Sequence, residues 1–429
     1  MNTNELRSEF NRIFPDGGEP RFFYAPGRVN IIGEHIDYNG GMVFPCALTL
    51  GTYAAIAKRE DNLMRLVSGN IEPPIAVSLE KLEYRKEDGW GNNPKAITKL
   101  LTDMGHKLGG FDLYVWGNLP NNAGLSSSAS VNVLVATALN TIFGLDMSPV
   151  EIALLCQRAE NEYLGVNCGI MDMFASAMGK KDHAIMLDCS TLKYEYVPLK
   201  LGDYRLVLAN TNNPRSLADS KYNQRRAECE EALKILRTVC DITNLCELSP
   251  DQFEEYSKKA FGEEVIRVAL YGENAILDSG EKPKLTFDAP EVTAYRRALH
   301  VINENDRVTK AKEALEFGDI SELGALMNAS HCSLQVLYEV TGKELDALAY
   351  AAVSLNHPQT LDTEAPAYTK VHGSRMTGAG FGGCTVSIVH KDNVDDFIEL
   401  VGWTYTKDTG LVADFYVAET DDGAREVYL

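Results

Sequence analysis

Basic residues are in short supply, with 41 Lys and Arg against 61 Asp and Glu, a formal net charge of −20. A nucleic-acid backbone or an anionic membrane surface is repelled at long range by such a chain, which argues against both as partners. No run of about 18 apolar residues occurs, so no spanning helix is expected. The start, MNTNELRSEF, lacks the basic stretch and apolar run of an export signal. The nine cysteines are odd in number, scattered, and free of any C-x-x-C pair, which excludes a disulfide framework and a thiolate zinc site and suits a reducing cytoplasm. Internal repeats and low-complexity segments are also missing, so solenoids and disordered tails are set aside. No glycine loop leads into Gly-Lys-Ser/Thr, so a Walker-type phosphate loop is absent too.

What remains suits a folded protein. Apolar residues make up 45% and charged residues 24%, enough to build substantial cores. A chain of 429 residues exceeds one ordinary core, so two domains are expected. The segments FFYAPGRVNIIG, GTYAAIAKRE, FDLYVWGNLP and HAIMLDCSTLKYEYVPL alternate or run apolar as strands do, while residues 129–143, 148–164, 218–238, 305–318 and 342–355 carry helical periodicity. A polar stretch at Lys200 to Asp203 marks the junction, giving domains over 1–202 and 203–429, both α+β. The second is mostly helical and closes with strands from Gly383 onward.

Three glycine-rich or polar clusters, at 25–45, 118–130 and 373–384, could gather at one site. In the middle cluster, NLPNNAGLSSSASVNVLVATALNTIFGL, turn residues pass through Gly124 and three serines into a helix with an apolar stripe of Val131, Leu134, Val135, Ala138, Leu139 and Ile142. A helix start of this composition leaves backbone N–H groups free to hold phosphate without net positive charge. Its blander alternative is that Ser126 to Ser128 only cap a buried helix. The following helix opens on Ser148, Pro149 and Glu151, a capping box that sets its phase. Ile152, Cys156, Ala159 and Tyr163 form its stripe, and Glu160 lies beside it, so a carboxylate is carried inward. It calls for a cation, either Mg²⁺ shared with a serine hydroxyl and phosphates or a neighbour such as Arg158.

In NCGIMDMFASAMGKK, Asp172 shares a helix face with Ala175, Ser176 and Gly179, small residues that let a ligand approach closely. Gly179 reads as the helical stop. The helix dipole and any nearby Arg favour the charged carboxylate. Such a group can orient a hydroxyl and take its proton late in phosphoryl transfer, or it is only a helix-start acid. The segment APGRVNIIGEHIDYNGGMVFPCAL gathers Arg28, Glu34, His35, Asp37 and Tyr38 among glycines, a donor and acceptor density suited to a polyol, although a single His is also a common structural residue. GSRMTGAGFGGCTVSIV leads through its glycines into a strand with Cys384, Val386 and Ile388 alternating, and is either a ligand loop or a tight bend.

Taken in order and spacing, G-R-V-N-I-I-G-E-H-I-D-Y, G-L-S-S-S-A and T-G-A-G-F-G-G-C resemble the galactokinases of the GHMP kinase superfamily, and C-G-I-M-D-x-F supports the same likeness. It covers most of 21–426, with no clear match over 259–291. The resemblance implies an N-terminal ribosomal-protein S5 domain 2-like domain and a C-terminal ferredoxin-like domain with the active site between them. It also implies transfer of the ATP γ-phosphoryl group to the anomeric hydroxyl of galactose. By motif, Asp172 would be the base and Arg28 its partner. Glu34, His35, Asp37, Gly169 and Tyr222 would bind galactose, and Ser128 and Glu160 would hold Mg²⁺. Residues Asn122, Ala123, Gly124, Leu125, Ser126, Ser127, Ser128 and Ala129 would cradle phosphate, with Trp90 at the adenine. A monomeric cytoplasmic enzyme with ATP, Mg²⁺ and a small sugar as its partners is the expectation. An N-acetylgalactosamine kinase and a catalytically silent sugar sensor are the alternatives. Asn122 stands where the family usually has glycine, WGNNPKAI replaces W-x-N-Y-x-K-G, Met173 replaces glutamine, and SLQVLYEVTGKELD lacks the charged residues that usually precede its tyrosine.

Overall fold

The computed structural model describes residues 3–120, 123–213, 218–355 and 371–428. The N-terminal half is built on strands β1 (Arg21–Asn30), β3 (Pro45–Lys58), β4 (Leu63–Ser68), β5 (Ile75–Ser78) and β6 (Phe111–Gly117), with a short β2 (Met42–Val43) between the first two. Alternation decides which side of this sheet each residue covers. Phe23, Ala54, Ile56, Leu113 and Val115 face the main core, while Phe22, Ala55, Ala57 and Tyr114 face a second cluster closed by Leu6, Phe10 and Phe14. Leu6 and Phe10 belong to α1 (Thr3–Ile13), a helix that periodicity does not single out. It explains why the strands read as nearly continuous apolar runs, since both faces are buried.

On the main-core side lie α2 (Asn92–Asp103), α3 (Ser127–Phe143), α4 (Pro149–Arg158) and α5 (Met171–Met178). The capping box at Ser148 is formed, with Ser148 accepting from the Glu151 N–H and Glu151 accepting from the Ser148 N–H. Beyond Arg158 the chain widens into a π-helical turn, Ala159–Leu164, so the helix expected over 148–164 changes phase at Glu160. Strands β7 (His183–Asp188) and β8 (Tyr194–Pro198) then join β2 in a small sheet.

The second half opens with β9 (Tyr204–Asn210) and runs through α6 (Ala218–Leu236), α7 (Pro250–Ala260), α8 (Gly262–Tyr271), α9 (Pro290–Phe317), α10 (Ile320–Ser333) and α11 (Lys343–Ser354). The stretch 259–291 that matched nothing in sequence takes in the end of α7, all of α8 and the loop into α9, and α9 begins well before the expected residue 305. Then come β10 (Val371–Thr377), β11 (Cys384–His390), α12 (Val394–Thr409) and β12 (Asp414–Ala418). Their antiparallel sheet runs β10-β11-β9-β12, so its strands stand in the order second, third, first, fourth, which is the ferredoxin-like arrangement. The fold is α+β in two domains, and residues 199–203, where the sequence suggests the boundary, connect β8 to β9. The chain end crosses back, because β13 (Arg425–Val427) pairs with β1 as the edge of the six-stranded sheet β13-β1-β3-β6-β4-β5.

A buried polar seam joins the two halves. Arg375 on β10, with no exposed surface, donates from Nη1 to the Asn30 carbonyl (2.9 Å) and from Nε to Ser330 Oγ (3.2 Å), and lies 3.7 Å from Glu34 Oε1. Ser330 donates to Glu304 Oε1 (2.6 Å), which also accepts from the Gly33 N–H (3.0 Å), while Arg307 pairs with Glu304 Oε2 (2.7 Å). Burial opposes the charge on Glu304, but Arg307, His300 and Arg375 outweigh it and bring the carboxyl down to about 2. Removing one member strands the others in low dielectric. Arg375→Met is therefore expected to lower stability by about 3 kcal/mol, read as a drop in the urea midpoint; an unchanged midpoint would show that the seam holds nothing together.

Candidate active site

Strand β1 does not pair evenly: the register with β3 shifts between Pro26 and Arg28, since proline has no N–H for the ladder. Arg28, just past the shift and 3% exposed, donates from Nε to Asp172 Oδ1 (2.8 Å) and from Nη1 to the Gly124 carbonyl (2.7 Å). Ser126 Oγ donates to Asp172 Oδ2 (2.6 Å). Both carboxylate oxygens are thus tied to the loop before α3, yet a third of the Asp172 side chain stays open. Asp172 lies in the first turn of α5, where the helix dipole favours negative charge. The Arg28 guanidinium is opposed by burial, but Asp172 and Glu34 keep it firmly charged.

Ser126 adopts a left-handed φ of 62° and makes no side-chain cap on α3, so the first-turn N–H groups of that helix are not covered by its hydroxyl. Ser127 and Ser128 are exposed, whereas Ala123, Leu125 and Ala129 are buried and anchor the loop in the core. Asn122 lies outside the described residues.

The sugar-loop residues meet Asp172 from the other side. A Cβ placed on Gly169 would lie 1.9 Å from Asp37 Oδ2, so the Asp37 carboxylate rests directly against that glycine. Burial, then the nearby charge of Asp172, pushes Asp37 up to about 7. Tyr222, on α6, lies with its ring 5.5 Å from His35 and 5.4 Å from Tyr38. His35 is buried, at φ 62°, and burial, then His300, takes its imidazole down to about 3, so the ring is neutral. Glu34 turns away from this opening. Its Oε2 accepts from Asn30 Nδ2 (2.7 Å), and its Oε1 accepts from Thr377 Oγ1 (3.1 Å) and the Gly378 N–H. The third glycine cluster closes on the other two. A Cβ on Gly378 would lie 2.6 Å from the Gly124 carbonyl, and His35 Nε2 is 3.1 Å from the Ala379 carbonyl.

Glu160 is 4% exposed and accepts from Asn132 Nδ2 (2.9 Å), while Arg158 pairs with Glu162 instead. Ser128 precedes Asn132 by one helical turn, which puts its hydroxyl on the α3 face that meets Glu160. Asn132 in turn accepts from Asn93 Nδ2 (3.0 Å) on α2, and Trp90 sits in the short 3₁₀ segment Lys86–Gly91 that leads into α2. Trp90 is half-buried against the core, linked to the phosphate loop only through this layer. Asn132 and the Ser126–Asp172 bond are not marked by any motif, whereas Thr377 opens the T-G-A-G-F-G-G-C motif. The nearest signal is a polar Asn132 beside an apolar helical stripe. Among the described residues no three His, Cys, Asp or Glu side chains gather as a metal cluster.

An aspartate clamped to a serine-rich helix start, with glycine loops from both halves around it, defines a small-molecule kinase site of the GHMP type. The chain matches the model of the GHMP kinases N terminal domain over 92–180 and that of the GHMP kinases C terminal over 311–401. It also matches the galactokinase galactose-binding signature over 8–58. A galactokinase of Fusobacterium nucleatum is 48% identical over 98% of this chain and 99% of its own, and one of Bacillus subtilis is 46% identical over 99% and 98%. The crystal structure of Lactococcus lactis galactokinase complexed with galactose superposes with a TM-score of 0.86 at 40% identity, over 99% of this chain and all of that one. A Methanococcus jannaschii mevalonate kinase shares the fold alone, with a TM-score of 0.61 at 15% identity. The chain belongs to the galactokinase family.

Gly378 has φ 84° and no room for a side chain against Gly124. Gly378→Ala is expected to cost roughly 1–3 kcal/mol and to part the third cluster from the phosphate loop, visible as a lowered thermal midpoint. A midpoint equal to wild type would contradict this packing.

Proposed function

We propose that the chain transfers the γ-phosphoryl group of ATP to the anomeric hydroxyl of D-galactose, giving α-D-galactose 1-phosphate and ADP. The observation that carries this reading is Asp172, held by Arg28 and Ser126 on the phosphate loop while one side of its carboxylate remains open. A sugar hydroxyl arriving there replaces solvent, is aligned by the carboxylate, and gives up its proton as the new P–O bond forms. Arg28 pairs with the base and couples it to the Gly124 carbonyl, so base and phosphate cradle hold one geometry. Asp37, Gly169, His35 and Tyr222 surround the space on the sugar side of Asp172. The close seating of Asp37 on Gly169 leaves its oxygens to accept from sugar hydroxyls.

Glu160 and Ser128 fit a Mg²⁺ ion, being one buried carboxylate and one exposed hydroxyl on facing surfaces, the sparse protein donor set that this ion takes beside phosphates. When bound, the ion neutralises phosphate charge, which a chain of net charge −20 cannot do through its overall field. All nine cysteines are free thiols, which supports a cytoplasmic setting. No helix among the described residues is long and apolar enough to cross a membrane.

Release of ADP, followed with ATP and Mg²⁺ against galactose, glucose, talose and N-acetylgalactosamine, tests this reading. Turnover is expected with galactose first, and none with any sugar despite nucleotide binding would end it. Asp172→Asn is expected to lower kcat on the order of a thousandfold with ATP binding retained; near-normal kcat would mean another group is the base. Gly169→Ala pushes the Asp37 carboxylate aside without touching backbone, so KM for galactose is expected to rise about tenfold or more while the thermal midpoint stays put. An unchanged KM would remove Asp37 from the sugar site.

A further inference from the structure

A chain of buried hydroxyl and thiol groups runs from the C-terminal half into the sugar loop. Cys229 Sγ on α6 lies 3.1 Å from Tyr338 Oη, Tyr338 Oη lies 2.8 Å from Tyr38 Oη, and Tyr38 Oη lies 2.8 Å from His35 Nδ1. Tyr338 ends the π-helical turn Leu334–Tyr338 and has no exposed surface. The backbone around it is held by buried arginines. Arg225 donates to the carbonyls of Tyr338 (2.7 Å) and Glu339 (3.1 Å), Arg296 donates to that of Val336 (2.7 Å), and Arg297 pairs with Glu339 Oε2 (2.7 Å). The Tyr338 ring also stacks on His300, 4.4 Å between centroids, and His300 Nε2 donates to the Glu34 carbonyl (3.2 Å).

Proton counting gives this chain a single direction. His35 Nε2 faces a carbonyl, that of Ala379, which can only accept, so Nε2 carries the proton. A neutral ring then has a bare Nδ1, which accepts from the Tyr38 hydroxyl. Tyr38 has spent its only proton and must accept from Tyr338, which in turn accepts from the Cys229 thiol. Every group must therefore be protonated. Burial raises both phenols well above their usual range and the thiol to about 11, and the relay persists at neutral pH. His35 and Tyr38 touch the ring of Tyr222, so what orients them shapes the sugar side of the site.

We propose that Tyr338 is a positioning residue for the sugar-binding side of the site: by donating to Tyr38 it aims that hydroxyl at His35 Nδ1 and so holds the orientation of His35, whose tautomer the Ala379 carbonyl sets, and thereby ties acceptor binding to the π turn of the C-terminal domain. This rests on the reading of galactose as acceptor. Tyr338 acts through its bond to Tyr38, so its effect is expected on sugar affinity.

The test compares wild type with Tyr338→Phe and with Cys229→Ala, which leaves the Tyr338 ring in place and removes the terminal donor together with the Cys229–Asn39 hydrogen bond. Imidazole ¹⁵N spectra, assigned through His35→Gln, are expected to show His35 in wild type protonated at Nε2 and hydrogen-bonded at Nδ1. Tyr338→Phe is expected to leave Nε2 protonated but to weaken the hydrogen bond at Nδ1, seen as a shift of the Nδ1 resonance, and to raise KM for galactose roughly three- to tenfold, the worth of one buried neutral hydrogen bond, with kcat and KM for ATP unchanged. Cys229→Ala is expected to move both readouts the same way and less. A wild-type His35 protonated at Nδ1, an unchanged KM in both variants, or a fall in kcat matching the rise in KM overturns the proposal. The tautomer is read without turnover, so absence of galactose phosphorylation by wild type would defeat the reading of the acceptor and not that of the relay.

Discussion

Everything about this site depends on keeping charge buried between two domains with an opposite charge within reach of each group. Glu34, Glu304 and Arg375 are buried there and Arg307 is partly buried, and each meets an opposite charge or a backbone group, while Nη2 of both arginines has no hydrogen-bond partner among the described residues. Such a seam adds little net stability over an apolar one, but it tolerates few alternative arrangements. The sugar loop, whose Gly33 N–H and Glu34 side chain enter the seam, can therefore take only the position that satisfies β10 and α9. His35 and Asp37, the next residues along, inherit that position.

A second constraint comes from the acidic charge balance. With −20 spread over the chain, phosphate has to be met by oriented groups at short range. The first turn of α3, whose N–H groups the Ser126 side chain leaves uncovered, offers such groups. Arg28 holds Asp172 and the loop before α3 together, because the register shift after Pro26 brings its side chain between α5 and that loop. The C-terminal domain contributes geometry: Gly378 seats the phosphate loop, and Tyr338 reaches the sugar loop through Tyr38.

Local patterns are legible in the order of residues alone. The Ser148 cap, the buried Glu160 and the apolar stripe of α3 all follow from short-range periodicity and end chemistry. The helices α1, α2, α7, α8, α10 and α12 are not legible in that way, and α12 breaks the run of strands expected from Gly383 onward. In α1 only Leu6 and Phe10 are fully buried, so its apolar face is two residues wide and easily lost among polar neighbours. The π turn at Glu160 is equally invisible, since a change in hydrogen-bond spacing leaves composition untouched. Glu34 illustrates the limit at the site. Its motif suggests a sugar ligand, while its oxygens are engaged by Asn30, Thr377 and Gly378, the last two at separations of 343 and 344 residues along the chain.

By itself the sequence determined the parts: a glycine and serine turn into a helix, an aspartate at a helix start, a polar loop rich in donors and acceptors, and the family to which these motifs belong. Tertiary structure alone decided which parts touch. Ser126 to Asp172 spans 46 residues, Arg28 to Asp172 spans 144, and Arg375 to Asn30 spans 345. Helix starts and glycine turns depend on neighbours within a turn or two, so local chemistry reveals them. The clamp on Asp172, the seam at Glu34 and the relay ending on His35 depend on how two separately formed layers pack, and that is settled by burial across the whole chain.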